Sequence, residues 1–131
     1  MSDLQQIPPL PPSSERTAGA VYACDPDPLT LRGMLAAAAA VASEHGWTIA
    51  DDGTVFDDCL LTEPPQDRPG WDRVRGLAQK SRISVVVVPA LGHIGFTWSL
   101  WQAEQRFLSS FRVAIVPVEQ GLDAVPTGAA R

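Results

Sequence analysis

A run of β-branched residues limits this chain to few folds. The segment Ile83-Ser84-Val85-Val86-Val87-Val88 is almost wholly β-branched and apolar. Such side chains favour an extended backbone, and consecutive apolar positions are all buried only in a strand that is covered on both faces. We therefore predict a central strand of a parallel sheet at residues 83–88, with a layer of helices on each side.

Strand-like and helix-like patterns alternate along the rest of the chain. Further strands are predicted at residues 20–24, 47–56 and 113–118. Helices are predicted at residues 29–44, 67–78 and 96–110. This order predicts an α/β fold of three layers, in which a mostly parallel sheet with right-handed crossovers carries helices on both faces.

Individual residues refine these elements. Asp51-Asp52-Gly53 predicts an interruption of the second strand. Pro117 favours an edge position for the last strand, because proline has no N–H to donate to a neighbouring strand. Asp67 is the predicted N-cap of the second helix, followed by Pro69 in the first turn.

The predicted domain covers residues 19–120, and the two ends differ from it in composition. Residues 1–18 form a predicted disordered leader with few apolar side chains, in which residues 8–12 read Pro-Pro-Leu-Pro-Pro. A solvated leader is the favoured interpretation of this segment. The alternative is a polyproline ligand for an aromatic groove of another protein. Residues 121–131 form a predicted flexible tail.

The charge balance argues against two classes of partner. Fifteen acidic and ten basic residues give a net charge of −5, and such a surface field disfavours nucleic acid and anionic membranes. No segment approaches the roughly twenty apolar residues that span a bilayer, and residues 1–4 lack the basic start of a secretory signal. We therefore expect a cytoplasmic protein in which Cys24 and Cys59 are free thiols.

Functional side chains are expected beyond the carboxyl ends of the strands, as in other open α/β sheets. The segments that follow the first three predicted strands are residues 24–28, 57–68 and 89–96. The side chains in these segments that could act in catalysis or binding are Cys24, Asp25, Asp57, Asp58, Cys59, Arg68 and His93.

Three roles are open for this set. Cys24, Cys59 and His93 with Asp58 would make a sensible zinc set, but no two of them have the close spacing of strong metal motifs. Cys24 and His93 could instead form a nucleophile and its base. The third role is ordinary structure, with Cys24 in the core and the acidic residues in solvated turns. We expect no cofactor, and a metal only as the weaker alternative.

Four segments stand in an order known from one protein family. They are Val21-Tyr22-Ala23; residues 45–49 followed by Phe56-Asp57-Asp58; Asp67-Arg68-Pro69-Gly70-Trp71; and residues 85–88 leading to 91–96. From residue 21 to about residue 119, the chain thereby resembles the N-terminal catalytic domain of serine recombinases, the resolvase and invertase group. In that family the segments are the Tyr-x-Arg-x-Ser strand, a strand ending in aspartate, the Arg-Pro-Gly start of a helix, and the Leu-Asp-Arg-Leu-x-Arg loop. The resemblance implies a flavodoxin-like strand order.

The resemblance also identifies replaced site residues. Cys24 occupies the position of the family's first arginine, and Pro26 occupies the position of the serine that attacks the DNA phosphodiester. His93 and Phe96 occupy the positions of the two arginines of the family's loop, and Gly92 occupies the position of the aspartate of that loop. The nucleophile and most of the charged groups of the family's site are therefore missing at these positions.

Arg68 and Asp58 are the residues of the family's site that the resemblance implies to be retained. Because proline has no hydroxyl, and because arginines stabilise the charge of the transition state in the family, the resemblance implies an inactive domain. The family's dimer helix and helix-turn-helix domain would not fit into residues 121–131, so strong independent binding to DNA is not expected either.

These observations predict a recombinase-like domain that acts, if at all, as an interaction or regulatory protein in DNA recombination, with a recombinase or another protein as partner. Trp98 and Trp101 are candidate contact residues, although a core position is favoured for both. Two alternatives stay open. One is an active DNA strand-cleaving recombinase with a displaced hydroxyl, such as that of Thr30 or Thr97; the other is a small-molecule or metal-binding α/β module.

Overall fold

The computed structural model describes residues 17–119, which form strands and helices in the predicted alternation. The strands are β1 (Ala18–Cys24), β2 (Thr48–Asp57), β3 (Val85–Val88) and β4 (Ala114–Pro117). The helices are α1 (Pro28–Glu44), α2 (Pro69–Gln79) and α3 (Trp98–Ser110), and short 3₁₀ turns cover Pro65–Asp67 and Leu91–His93. Residues 1–16 of the predicted leader and the whole predicted tail lie outside the described residues, and residue 18, predicted as leader, begins β1.

All strand pairs of the sheet are parallel, in the order β2-β1-β3-β4. Helix α1 packs on one face, and α2 and α3 pack on the other. The three-layer α/β fold and the flavodoxin-like order are thus confirmed. Because the chain moves outward from β1 in both directions, the crevice between the carboxyl ends of β1 and β3 is the switch point of the topology, where such sheets bind their ligands.

The valine run forms a central strand, as its sequence predicts. All four side chains of β3 are fully buried. Val86 and Val88 join the cluster under α2 and α3, whereas Val85 and Val87 join the cluster under α1. The alternation of neighbouring side chains between the two faces explains why every position of this strand is apolar.

The second strand is continuous, and at the predicted interruption it carries an irregularity. Gly19 pairs with Ile49 and Val21 pairs with Thr54, so β2 carries extra residues opposite β1 at this point. Asp52 has a φ of 63°, a left-handed conformation that aspartate adopts more readily than most residues. The strand bulges there and continues to Asp57, which places its end beside the end of β1.

The prediction of Asp67 as a helix cap is wrong. Asp67 lies in the 3₁₀ turn, and Arg68 is the N-cap of α2, with no hydrogen bond from its side chain to the helix. Asp57 supplies that bond instead, from the end of β2. Spacing along the chain indicates only local caps, so it could not identify a cap that comes from another element.

The two tryptophans of α3 have different environments. Trp101 is 6% exposed and belongs to the core, whereas Trp98 is 36% exposed and stacks on it with ring centroids 5.0 Å apart. The sequence favours a core position for both tryptophans, and this prediction is correct for Trp101 alone. Within residues 17–119, no helix has the length and apolar character needed to cross a bilayer.

Candidate functional site

Main-chain and side-chain bonds join the carboxyl ends of β1, β2 and β3. The N–H of Asp25 donates to the carbonyl of Asp57 at 3.1 Å, which joins β1 to β2. The N–H of Cys24 donates to Nδ1 of His93 at 3.1 Å, which joins β1 to the loop after β3. The three segments that the sequence predicts as functional therefore meet at one edge of the sheet.

Asp57 is the carboxylate at the centre of this edge. It is 7% exposed, and its two oxygens accept the N–H groups of Gly70 at 2.7 Å and Trp71 at 2.9 Å. These are N–H groups of the first turn of α2, which have no partner within the helix. The negative charge also faces the positive end of the helix dipole. The carboxylate is thus used to hold α2 against the end of β2.

Tyr22 connects this carboxylate to Arg68. Its hydroxyl donates to Oδ2 of Asp57 at 2.7 Å and accepts from Nη1 of Arg68 at 3.5 Å. Burial, followed by the hydrogen bond to Asp57, raises the pKa of the Tyr22 hydroxyl far above its ordinary value. The phenol therefore remains protonated, and its single proton is committed to Asp57.

Arg68 is almost completely buried, with 1% of its surface exposed. Its Nε donates to the carbonyl of Glu63 at 2.9 Å, and its Nη2 donates to the carbonyl of Leu61 at 2.8 Å. Its Nη1 donates to the carbonyl of His93 and to the hydroxyl of Tyr22. Since a guanidinium has five N–H groups, these four bonds leave one of them for any other partner. The side chain joins two loops of its own chain.

The two cysteines meet, but neither thiol is activated. Cys24 is fully buried, Cys59 is half-buried, and their side chains lie close enough to affect each other's ionisation. Burial raises the pKa of the Cys24 thiol to about 12, although the charge of Arg68 opposes the shift. Burial also raises the pKa of the Cys59 thiol. Because the thiolate is the nucleophile and the metal ligand, both residues are protonated thiols at neutral pH.

His93 is a neutral, structural imidazole. It is 5% exposed, and burial together with the charge of Arg68 lowers the pKa of its ring to about 4. Its Nδ1 accepts the N–H of Cys24, so the ring proton is on Nε2. His93 and Cys24 are thus in contact, but through the main chain of Cys24 rather than as a base on its thiol.

The proposed zinc set is not assembled. Across residues 17–119, no three histidine, cysteine, aspartate or glutamate side chains are placed to hold one metal ion. The Nδ1 of His93 is already bonded to Cys24, and Asp58 is exposed. The side chains of Cys24 and Cys59 alone lie together.

The remaining motif positions carry no reactive group. Pro26 is exposed in the turn after β1, and Phe96 is half-buried before α3. The two hydroxyls named as displaced nucleophiles are engaged at helix starts: Thr30 donates to Asp27 at 2.7 Å, and Thr97 accepts from the N–H of Leu100 at 3.4 Å.

The carboxylate that the site uses is Asp57 rather than Asp58. The resemblance implies that Asp58 is the retained aspartate, and the structure places Asp58 exposed and outside the cluster. The alternation of β2 could have identified the correct residue, because Asp57 shares the face of Val55, which is buried under α2. Tyr22 was also missed as a site residue, although alternation from Ala20 places it on that same face.

Several solved structures resemble this chain. The C-terminal catalytic domain of ISC1926 TnpA, an IS607-like serine recombinase, matches at a TM-score of 0.69 and 14% identity, over 82% of this chain and 73% of that one. The N-terminal catalytic domain of TP901-1 integrase matches at 0.67 and 13%, over 87% and 84%. The first ORF in transposon ISC1904 from Sulfolobus solfataricus P2 matches at 0.62 and 11%, over 83% and 71%.

No protein-family model matches the chain, and no curated protein matches it either. The likeness lies in the three-dimensional arrangement, where the matches cover more than two thirds of both chains. This chain has the fold of serine recombinase catalytic domains.

Proposed function

We propose that this chain is a non-catalytic recombinase-fold domain that takes part in DNA recombination by binding a recombinase subunit. The relation to recombination is supported by the fold, since one similar structure is a serine recombinase and another belongs to a transposon. The absence of catalysis is argued from the bonds made at the carboxyl edge of the sheet. The binding role is argued from the exposed apolar side chains around β2.

The bonds of Arg68 are the observation that carries the proposal. An arginine that stabilises a phosphoryl-transfer transition state must aim several N–H groups at the reacting phosphate. Arg68 directs four of its N–H groups at Glu63, Leu61, His93 and Tyr22, and its side chain is inaccessible to solvent. Exposing it would break the part-buried bonds to Glu63 and Leu61 and leave the buried carbonyl of His93 without this partner, the last at a cost of about 1–3 kcal/mol.

The reacting group of a recombinase has no replacement at this edge. Pro26 occupies the motif position of the serine and carries no hydroxyl. The hydroxyl of Thr30 is bonded to Asp27, the N-cap of α1, and the hydroxyl of Thr97 caps α3. The thiol of Cys24 is buried and its pKa is raised to about 12, so it does not ionise at neutral pH. None of these residues can supply the nucleophile that a covalent protein–DNA intermediate needs.

An exposed apolar surface supports the binding role. Leu29, Phe56 and Leu60 are 71%, 50% and 62% exposed, and they lie near the carboxyl ends of β1 and β2. Phe56 also lines a groove of about 260 Å³ with Leu31 of α1. A large exposed aromatic side chain at a groove is typical of protein–protein contacts, in which aromatic residues often dominate the binding energy. We name Leu29, Phe56 and Leu60 the β2 patch.

Photocrosslinking tests the binding role. A photoreactive phenylalanine analogue at position 56 is expected to crosslink to a catalytically competent serine recombinase from the same genome. The same analogue at position 111, which is 37% exposed at the end of α3, is the matched control and should give little product. Equal crosslinking from both positions, or none from position 56, would contradict the β2 patch as the contact surface.

A cleavage assay tests the absence of catalysis separately. The purified chain should leave supercoiled plasmid intact and form no covalent adduct with DNA, while the competent recombinase in a parallel reaction does both. An adduct on this chain would refute the non-catalytic assignment whatever the outcome of the crosslinking.

A further inference from the structure

The ends of β1 and β2 bring the two cysteines of the chain to one place. Cys24 is the last residue of β1 and pairs with Asp57, the last residue of β2. The N–H of Asp25 donates to the carbonyl of Asp57 at 3.1 Å, which holds the two strand ends together. Cys59 follows Asp57 by two residues, and the chain bends there. Because neighbouring strands lie about 4.8 Å apart, this placement keeps Cys59 beside the end of β1.

The two cysteine side chains lie on the same face of the sheet. Cys24 belongs to the core cluster under α2 and α3, together with Ala20 and Tyr22 of its own strand. Cys59 packs against that same cluster. Burial has the largest effect on both pKa values, and each thiol also contributes to the pKa of the other. Two thiols that enter one cluster from neighbouring strand ends have the placement that a disulfide needs.

The two thiols differ in their access to solvent. Cys24 is fully buried, whereas Cys59 is half-buried. A dissolved reagent can therefore reach the sulfur of Cys59 but not that of Cys24. The group that can reach Cys24 in the folded chain is its neighbour Cys59. Any chemistry that involves both thiols must consequently begin at Cys59 and end at Cys24.

The guanidinium of Arg68 lies beside both thiols. Its Nη2 donates to the carbonyl of Leu61 at 2.8 Å, two residues after Cys59. Burial raises the pKa of both thiols, and the positive charge of Arg68 opposes this increase. A thiolate must form before each step of thiol–disulfide exchange, and the nearby positive charge stabilises it. Exchange at this pair is therefore slow at neutral pH and faster as the pH rises.

We propose that Cys24 and Cys59 are a redox modification site, at which a low-molecular-weight disulfide converts the two thiols into a reversible internal disulfide. The thiolate of Cys59 first attacks one sulfur of the small disulfide, which forms a mixed disulfide and releases one small thiolate. The thiolate of Cys24 then attacks the sulfur of Cys59 and releases the second small thiolate. Each released thiolate takes up the proton that the attacking cysteine has lost. Two protein thiols are thus oxidised while one small disulfide is reduced to two thiols. This site does not depend on the proposed binding of a recombinase, and its failure in experiment would leave that proposal intact.

Equilibration of the full chain with mixtures of oxidised and reduced glutathione tests the site. After acid quenching and alkylation, mass spectrometry should find a chain that has lost two hydrogen atoms, and dithiothreitol should reverse the change. The effective concentration of the thiol pair should be at least about tenfold higher in the folded chain than in urea, where a flexible loop gives a value on the order of 1 mM. Equal values in the folded and unfolded chains would overturn the proposal, as would oxidation that yields only mixed disulfides or disulfides between two chains.

Two matched substitutions test the order of the steps. Cys24→Ser should accumulate the mixed disulfide of glutathione at Cys59, because the second step is missing. Cys59→Ser should keep Cys24 as a free thiol at the same glutathione concentrations, because the small disulfide cannot reach a fully buried sulfur. Equal amounts of mixed disulfide in the two variants would contradict the assignment of Cys59 as the entry point. The comparison of folded and unfolded wild-type chains needs neither variant, so it stands whatever their stability.

Discussion

The main-chain N–H of Cys24 donates a hydrogen bond to Nδ1 of His93, at 3.1 Å, across the ends of β1 and β3. These are the two residues that the sequence suggests as a nucleophile and its base, and the structure does bring them together. The bond uses the main chain of one and the ring of the other, whereas the thiol of Cys24 faces Cys59. The contact joins β1 to the loop after β3, and burial together with the charge of Arg68 keeps the imidazole neutral.

The neutral state of His93 makes stability depend on pH. Its pKa in the folded protein is about 4, below its ordinary value of 6.5, so the unfolded chain binds the proton first as the pH falls. The contribution of His93 to the free energy of unfolding is complete above pH 6.5 and decreases between pH 6.5 and about 4. The full decrease is expected to be roughly 3 kcal/mol. Urea unfolding across this pH range measures it.

The two histidines of the chain provide the control for this experiment. His93→Gln should remove most of this pH-dependent decrease. The substitution also changes the free energy of unfolding by an amount that does not depend on pH. His45→Gln, which replaces the other histidine, should keep the decrease that His93 causes. A wild-type protein whose unfolding free energy does not fall more steeply than that of His93→Gln would show that the ring binds its proton as readily in the folded protein as in the unfolded chain, which contradicts the lowered pKa.

The two thiols should differ in their rates of alkylation. With a pKa of about 12, Cys24 has about three orders of magnitude less thiolate at pH 8 than an ordinary thiol, and it is fully buried. Cys59 is half-buried and should react with iodoacetamide first. Mass spectrometry of Cys24→Ser and Cys59→Ser should assign the fast and slow reactions to Cys59 and Cys24. Rapid alkylation of Cys24 in the native protein would mean an accessible, activated thiol.

The neighbouring aspartates at the end of β2 should differ in their effect on stability. Asp57→Ala removes the acceptor for two N–H groups of α2 and for the buried hydroxyl of Tyr22, so the free energy of unfolding should fall by about 2–4 kcal/mol. Asp58→Ala changes an exposed side chain and should alter it by about 0.5 kcal/mol or less. Chemical denaturation of both variants compares them directly, and a larger loss in Asp58→Ala would contradict the placement of Asp57.

Helix α2 contains a sensitive glycine and a tolerant one. A Cβ on Gly70 would clash with the carbonyl oxygen of Phe56 and lie 2.8 Å from Oδ2 of Asp57, whereas a Cβ on Gly76 would meet no atom within 4 Å. Gly70→Ala should therefore lower the free energy of unfolding by at least about 2 kcal/mol. Gly76→Ala should raise it by about 0.5–1 kcal/mol, because alanine favours a helix. Similar midpoints of thermal unfolding in the two variants would argue against the close approach of α2 to β2.

The fold could be predicted from the sequence because its signals are local. The β-branched run of residues 83–88 identifies a strand that is buried on both faces, and Pro117 correctly indicates the edge position of β4. The strand order followed from the resemblance to serine recombinases, whose catalytic domains share the arrangement of these elements. Such features depend on residue type and spacing along the chain.

The bonds of the candidate site could not be predicted in the same way. The resemblance identifies Arg68 as a retained site residue, but three of its four partners are main-chain carbonyls of two loops, and main-chain carbonyls carry no sequence signal. Asp67 has the residue type of a helix cap, yet the cap comes from Asp57, ten residues earlier and on another element. Which side chain reaches which backbone group depends on how the elements pack, and spacing alone does not show it.

The central claim is that Arg68 serves the structure of its own chain and does not contact DNA. Its side-chain Nε–H and Nη–H signals in ¹⁵N-labelled protein measure this directly, during titration with a DNA duplex. The account predicts slowly exchanging signals that stay in place at every DNA concentration, since the guanidinium is buried and bonded to carbonyls. A saturable shift of these signals on adding DNA would contradict it, because it would show that the guanidinium leaves its carbonyls for a phosphate.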